Sequence, residues 1–257
     1  MKHIECAIEA ARKAGAVHAK HFETNFRIST KSSSYDLVTD ADTEAEKEVV
    51  SVLRRDFHDY NILAEENHYP ATDSPYRWVI DPLDGTNNFA CRLPIFCVSI
   101  ALMCQDEVIL GVIYDVSRDE LFTAEKGQGA FLNGKPIRVS PVKDLQEGLL
   151  ITGFYYSRGP EMEETLNDIR KFFQSKIRGL RRLGAAALDL CYIACGRASG
   201  FWEFELSPWD YAAGMCIVHE AGGKVTNKEG GLPNPRKKSY LVASNAHIHD
   251  SMLRILR

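Results

Sequence analysis

The chain has 257 residues, 45% of them hydrophobic, enough to bury a large core as one big body or two intimately packed ones. Its 31 basic and 35 acidic residues leave a net charge of −4, so no global basic field argues for nucleic acid. No apolar run approaches the ~20 residues of a membrane span, and the N-terminus lacks the apolar core of a signal peptide.

The seven cysteines are odd in number and sit mostly inside apolar segments (Cys97, Cys104, Cys191, Cys195 and Cys216). They suit reduced thiols in a cytoplasmic protein better than a disulfide framework. With no Cys-x-x-Cys pair and no ligand-spaced histidines, a zinc site is not expected. Ile4, Ala7, Ile8, Ala11, Ala14 and Val17 recur at helical spacing and predict an opening amphipathic helix. Lys31 to Tyr35 reads as a polar link. Thr43 followed by Glu46 resembles a capping box, which places Asp40 and Asp42 just before a second helix carrying Val49, Val50, Val52 and Leu53. Ile62 to Ala64 reads as a short strand ending in Glu65-Glu66.

From Arg77 to about Phe131 the pattern turns to strands: Arg77–Ile80, Ile95–Leu102, Val108–Tyr114, Leu121–Ala124 and Gly129–Leu132, the last followed by an Asn133-Gly134 turn signal. Consecutive strands with short links predict an antiparallel sheet. The second half alternates strands at Leu149–Ile151, Gly179–Leu183, Gly200–Phe204 and Ser239–Ala243 with helices at Glu161–Phe173, Ala185–Cys195, Trp209–Glu220 and from about His247, as a layered α/β unit does. A boundary near Pro141 divides an α+β half, 1–141, from an α/β half, 142–257, within one continuous body.

Four acidic segments lie where predicted apolar elements end: Asp40/Asp42, Glu65/Glu66, Asp81/Asp84 and Asp210. Carboxylates at such ends can converge in space, and with carbonyls and waters they suit a hard cation such as Mg²⁺ or Mn²⁺. Two ions ~4 Å apart, bridged by an Asp, could clamp an in-line phosphoryl transfer. Taken alone, Asp81-Pro82-Leu83-Asp84-Gly85 reads as an Asx-rich turn after a strand, and Asp210 as a helix cap. Gly85 and Thr86, if they open a short helix, would offer N–H groups to a phosphate. Asp115 and Glu125 read as surface acids, and Asp189 as a structural partner of Arg181 or Arg182.

Glu65-Glu66, Trp78 to Phe89 (Trp-Val-Ile-Asp-Pro-Leu-Asp-Gly-Thr-Asn-Asn-Phe) and Trp209-Asp210-Tyr211-Ala212-Ala213-Gly214 resemble the three signatures of the inositol monophosphatase family. Asp36 to Asp42 and Gly184 to Asp189 resemble two further family segments, so the likeness covers almost the whole chain. The resemblance implies an αβαβα layered sandwich and a Mg²⁺-dependent, lithium-sensitive phosphomonoesterase that forms a homodimer. It implies a first ion on Glu65, Asp81 and the Leu83 carbonyl, a second on Asp81, Asp84 and Asp210, and a looser third on Glu65. Thr86, hydrogen-bonded to Asp42, would orient the attacking water, with Glu65 in the catalytic set. The N–H groups of Gly85 and Thr86 would hold phosphate, and Asp84, Ala186, Glu203 and Asp210 would contact the substrate. Lys31 matches a flexible-loop lysine near the metals.

The expected substrate is a sugar or polyol phosphate, inositol-1-phosphate first. Fructose-1,6-bisphosphate and histidinol phosphate are alternatives within the same chemistry, and an adenine-bearing phosphate would require a longer chain. A degenerate regulatory or RNA-associated member would have lost Thr86, Asp42 or a metal ligand, and this chain has lost none. Nucleic acid and membrane are not expected partners.

Overall fold

The computed structural model describes residues 2–22, 24, 27–30, 37–154 and 158–257; the polar link from Lys31 to Tyr35, and Asp36, lie outside the described residues. In chain order the elements are α1 (His3–Phe22), β1 (Ile28–Thr30), β2 (Leu37–Thr39), α2 (Asp40–Asp56), β3 (Asn61–Ala64), β4 (Tyr76–Asp84), α3 (Thr86–Ala90), β5 (Cys97–Cys104), β6 (Glu107–Asp115), β7 (Glu120–Glu125), β8 (Gly129–Leu132) and β9 (Lys135–Pro136). There follow β10 (Leu149–Thr152), α4 (Pro160–Gln174), β11 (Gly179–Arg181), α5 (Ala186–Ala194), β12 (Gly200–Leu206), α6 (Pro208–Glu220), β13 (Lys224–Thr226), β14 (Ser239–Ser244) and α7 (His249–Leu256).

The layers run α, β, α, β, α. Trp78 and Ile80 of β4 face α1 and α2, while Val79, between them, faces α5 and α6. Both faces of this sheet are therefore buried, which is why its strands read as nearly continuous apolar runs instead of alternating ones. The second sheet divides in the same way. Ile151, Phe201 and Leu241 meet α5 and α6, whereas Leu150, Trp202 and Val242 meet α4 and α7. A stripe of fully buried alanines on α1 (Ala7, Ala10, Ala11 and Ala14) removes side-chain bulk where the two outer helices pack together. Among the described residues no helix is long and apolar enough to cross a membrane.

The first sheet has the order β3-β4-β5-β6-β7-β8-β9 and the second the order β11-β10-β12-β14-β13. The expectation of a wholly antiparallel first sheet fails at its edge, because β3 pairs parallel with β4. The link from Glu65 to Pro75 is long enough to cross back without a helix, which a hairpin turn is not. The second sheet is mixed, with β10 parallel to both β11 and β12 and β14 antiparallel to β12 and β13.

The capping box also lies elsewhere than Thr43/Glu46. Helix α2 begins at Asp40, Thr39 is its N-cap, and Asp42 closes the box by accepting from the Thr39 N–H at 2.7 Å. Glu46 is instead buried and accepts from the Glu66 N–H, Asn67 Nδ2 and the Tyr69 hydroxyl. The strand expected over Gly179–Leu183 ends at Arg181. Asp115, read as a surface acid, is fully buried with Arg118 Nη1 donating to it at 2.9 Å, and Glu125 is half-buried at the end of β7.

Helix α6 crosses the first sheet so closely that a Cβ at Gly111 would land on the Ala213 carbonyl oxygen. Backbone cannot yield as a flexible side chain can. Gly111→Ala is therefore expected to lower the unfolding free energy by about 1–3 kcal/mol, measured by denaturant titration.

Candidate active site

Strand β4 does not stop in a turn at Ile80 but continues to Asp84 through a register shift. Asp81 pairs with Ser99 and Asp84 with Cys97, so three steps on β4 match two on β5. In a regular strand, side chains three apart point to opposite faces; one extra residue returns them to the same face. Pro82, which has no N–H to give a ladder, falls inside this bulge. Gly85 then takes φ +93°, a left-handed conformation, and its site has no room for a Cβ, which would come 2.8 Å from the Ile95 carbonyl oxygen. Helix α3 opens at Thr86.

One cleft of about 390 Å³ is lined by Glu65, Asp81, Leu83, Asp84, Gly85, Thr86, Ala186, Glu203 and Asp210. Every sequence-predicted metal and substrate residue is thus brought to it. Asp42 stands behind the cleft, within hydrogen-bond distance of the Thr86 hydroxyl. Asp40 and Glu66 are not brought in; Asp40 is exposed and accepts from the Arg27 N–H, while Glu66 belongs to the Glu46 cluster.

The Thr86 hydroxyl lies 3.0 Å from Asp42 Oδ1 and 3.0 Å from the Leu83 carbonyl oxygen, and its one proton can go to either. Its lone pairs remain to accept. Asp42 is fully buried, and its Oδ2 accepts from both the N–H and the hydroxyl of Thr39, at 2.7 and 2.6 Å, so it cannot swing away. Asp81 Oδ1 accepts from the Leu83 N–H at 3.0 Å, and Asp84 Oδ2 from the Ala187 N–H at 2.7 Å. Asp210 closes a capping box with Ser207, whose N–H donates to it at 2.7 Å. The cap reading of Asp210 holds, and the cap keeps its carboxylate at the cleft.

Burial pushes the Asp84 carboxyl up to about 6, with Glu65 adding to the rise and the Ala187 and Ala186 N–H groups opposing it. Burial, then Glu65 and Asp84, lifts Asp210 well above the carboxylate range. Glu203 is pushed up to about 7 by burial, against the pull of the Arg182 guanidinium. Carboxylates that raise one another's proton affinity form a wall that favours cations. With the Leu83 carbonyl they make an all-oxygen donor set, which fits Mg²⁺ better than a softer metal. Among the described residues no three His, Cys, Asp or Glu side chains are already gathered around one ion-sized point, so the acids line the cleft without forming a closed shell.

Gly153, Arg182 and Lys238 are among the lining residues for which the sequence carried no site expectation. Gly153 had a signal, since it ends a strand; a Cβ there would overlap the Glu203 carboxylate. Asp189 departs from its expected ion pair. It is buried, its Oδ1 has no hydrogen-bond partner, and Arg181 and Arg182 are exposed. Helix α5 turns Asp189 inward, where burial and the Glu203 and Asp84 charges lift its carboxyl well above its ordinary value while the Arg182 charge opposes them without a hydrogen bond.

A family model described as the inositol monophosphatase family matches residues 2–257. The chain belongs to that family. Among its relatives is the protein named Nus factor SuhB of Salmonella typhimurium, 43% identical over 253 residues that cover 98% of this chain and 94% of that one. Another is the inositol-1-monophosphatase of Synechocystis, 41% identical and covering 98% and 88%. The solved IMPase of Thermotoga maritima superposes with a TM-score of 0.91 at 36% identity, covering 100% of this chain and 97% of that one. The family is one of phosphatases, and so this chain is a phosphatase with the family's αβαβα architecture.

The raised carboxyls fix the sign of a pH effect. A carboxyl whose folded pKa lies above its unfolded value binds more protons when folded, so stability is lost as pH rises from about 4 through the folded values of about 6 and about 7. The buried His18 and His249, held down to about 3 and about 4, act with the opposite sign, so the test is differential. By scanning calorimetry of chelator-treated protein, the melting temperature of Asp84→Asn relative to the unaltered chain should rise between pH 5 and pH 7.5. Each tenfold difference in proton affinity between the folded and unfolded chain is worth about 1.4 kcal/mol.

Proposed function

We propose that the chain hydrolyses a sugar or polyol phosphate monoester in a Mg²⁺-dependent reaction, with inositol-1-phosphate the leading substrate. The observation that carries this reading is the Asp42–Thr86 couple set beside Asp81, Asp84 and the Leu83 carbonyl on one cleft. Glu65, Asp81, Asp84, Asp210 and the Leu83 carbonyl would hold two or three Mg²⁺ ions, with Mn²⁺ as a substitute. When bound, Mg²⁺ supplies Lewis-acid charge and a water made acidic enough to attack at neutral pH.

The residues of the chain do the positioning. Thr86 gives its hydroxyl proton to Asp42 and turns a lone pair toward the cleft, where it accepts a proton from the attacking water and aims that water at phosphorus. The backbone N–H groups of Gly85 and Thr86 take phosphate oxygens. Glu203, on β12 across the cleft, accepts from hydroxyls of the alcohol part, and Ala186 gives that part a small apolar floor. No covalent phosphoenzyme is required. Seven unpaired cysteines support a cytoplasmic setting, and the family resemblance supports a homodimer.

The name Nus factor, borne by the Salmonella relative, favours a second and non-catalytic role. The −4 net charge gives direct nucleic-acid contact no help, so retention of a single-stranded RNA oligonucleotide in a gel-shift assay would overturn the view that nucleic acid is not a partner.

Phosphate release should be compared across inositol-1-phosphate, fructose-1,6-bisphosphate and histidinol phosphate, with Mg²⁺ and with Li⁺ added. Mg²⁺-dependent, Li⁺-inhibited turnover that is highest on inositol-1-phosphate is expected; activity in the presence of a chelator would refute the metal assignment. Thr86→Ala should lower kcat by about 10²–10⁴ while the melting temperature barely moves. Glu203→Ala should raise KM for inositol phosphate but not for an aryl phosphate. An equal loss on both would make Glu203 structural.

A further inference from the structure

Two cations line the acidic cleft, and their surroundings differ. Lys238 lies 3.7 Å from Glu205 as an ion pair. Arg182 is exposed, lines the cleft, and makes no hydrogen bond or ion pair to any described residue. Its guanidinium lies over Gly184, where a Cβ would meet it, and Gly184 itself takes φ +87°. The segment that carries it is tied to the turn on the phosphate side: Asn88 Nδ2 donates to the Leu183 and Ile95 carbonyls, each at 2.8 Å. The Ala185 Cβ lies 3.3 Å from where a Cβ on Gly85 would stand. Arg182 is therefore a cation carried on a backbone-anchored segment beside the phosphate cradle, on the wall it shares with Glu203, whose carboxyl responds to its charge.

A neutral polyol leaves such a guanidinium without an anion to bind, and an all-acid wall would repel any second negative group. We propose that Arg182 is a specificity-determining residue that takes a second anionic group, a phosphate or a carboxylate, carried on the alcohol part of the substrate. A planar guanidinium suits either group through paired N–H···O bonds, which a lysine ammonium cannot reproduce. The cleft then accepts doubly anionic phosphate esters as well as neutral polyol phosphates, with Glu203 reading hydroxyls and Arg182 reading charge. This inference rests on the phosphomonoesterase reading above.

The test uses the full chain with Mg²⁺ and compares kcat/KM on fructose-1,6-bisphosphate and on 6-phosphogluconate with that on inositol-1-phosphate. Arg182→Ala should lower the ratio of doubly anionic to neutral-polyol ester by about ten-fold, mainly through KM, with Arg182→Lys restoring only part of it. In the unaltered chain the same ratio should fall as salt rises, and in Arg182→Ala it should be flat. A drop on the bisphosphate alone assigns the second group as phosphate, and a drop on the phosphosugar acid alone assigns it as carboxylate. If the ratio does not move, if all three esters lose equally, or if the unaltered chain cleaves only inositol-1-phosphate, the role of Arg182 is refuted while the phosphatase reading stands. An unaltered chain that releases phosphate from none of the three refutes both.

Discussion

The site depends on one extra residue in β4. Asp81 and Asp84 are three apart, which in a regular strand would aim one into the core and the other away from it. The bulge over Pro82 and Leu83 cancels that mismatch, turns both carboxylates to the same cleft, and leaves the Leu83 carbonyl to receive the Thr86 hydroxyl. A proline inside the bulge means that no regular ladder bond is lost there. A glycine directly after it lets the chain reverse into α3 at a φ that a side chain would make costly.

Bringing acids together in a buried place is unfavourable, and four of them are anchored by backbone donors. Asp42 is tied to Thr39, Asp81 to Leu83, Asp84 to Ala187 and Asp210 to Ser207. Two of these anchors are helix caps, at the starts of α2 and α6. Capping explains how carboxylates that repel one another stay aimed at the cleft: the same hydrogen bond that satisfies an orphan donor also prevents the side chain from turning outward. Burial of Asp84 and Asp210 then raises their proton affinity, and the cleft attracts cations as a result.

Much of this is legible in the sequence, and what is not has physical reasons. The helices and the long strands follow from apolar spacing, since burial on both faces leaves unbroken runs such as Trp78 to Ile80. The acids are legible by their place after such runs. The bulge is not: Asp-Pro-Leu-Asp-Gly looks like a turn whether the strand stops or slips, and only pairing with Ser99 and Cys97 distinguishes the two. The capping box is misread because Thr43 and Glu46 match its pattern as well as Thr39 and Asp42 do, and only the fold shows that Glu46 is occupied by Glu66, Asn67 and Tyr69. The parallel pairing of β3, the burial of Asp115 and the inward turn of Asp189 are tertiary facts with no local signature. Gly153 and Arg182 escape notice because their role lies in what packs against them.

The second sheet repeats the device of the first. Strand β12 also slips, with Glu203 opposite Leu241 and Leu206 opposite Ser239, so three steps again match two just before a helix that begins with a capped acid. In the function proposed above, the β4 bulge would face the phosphate and the β12 bulge the group to which it is attached. The two bulges belong to different sheets but meet at the cleft, where Asp84 accepts from the Ala187 N–H of α5 and its charge helps to raise the Glu203 carboxyl. In that same proposal, the bond to be cut is read from one stretch of sequence, while the alcohol would be read by Glu203, Arg182 and Ala186, residues from three different segments brought together only by folding.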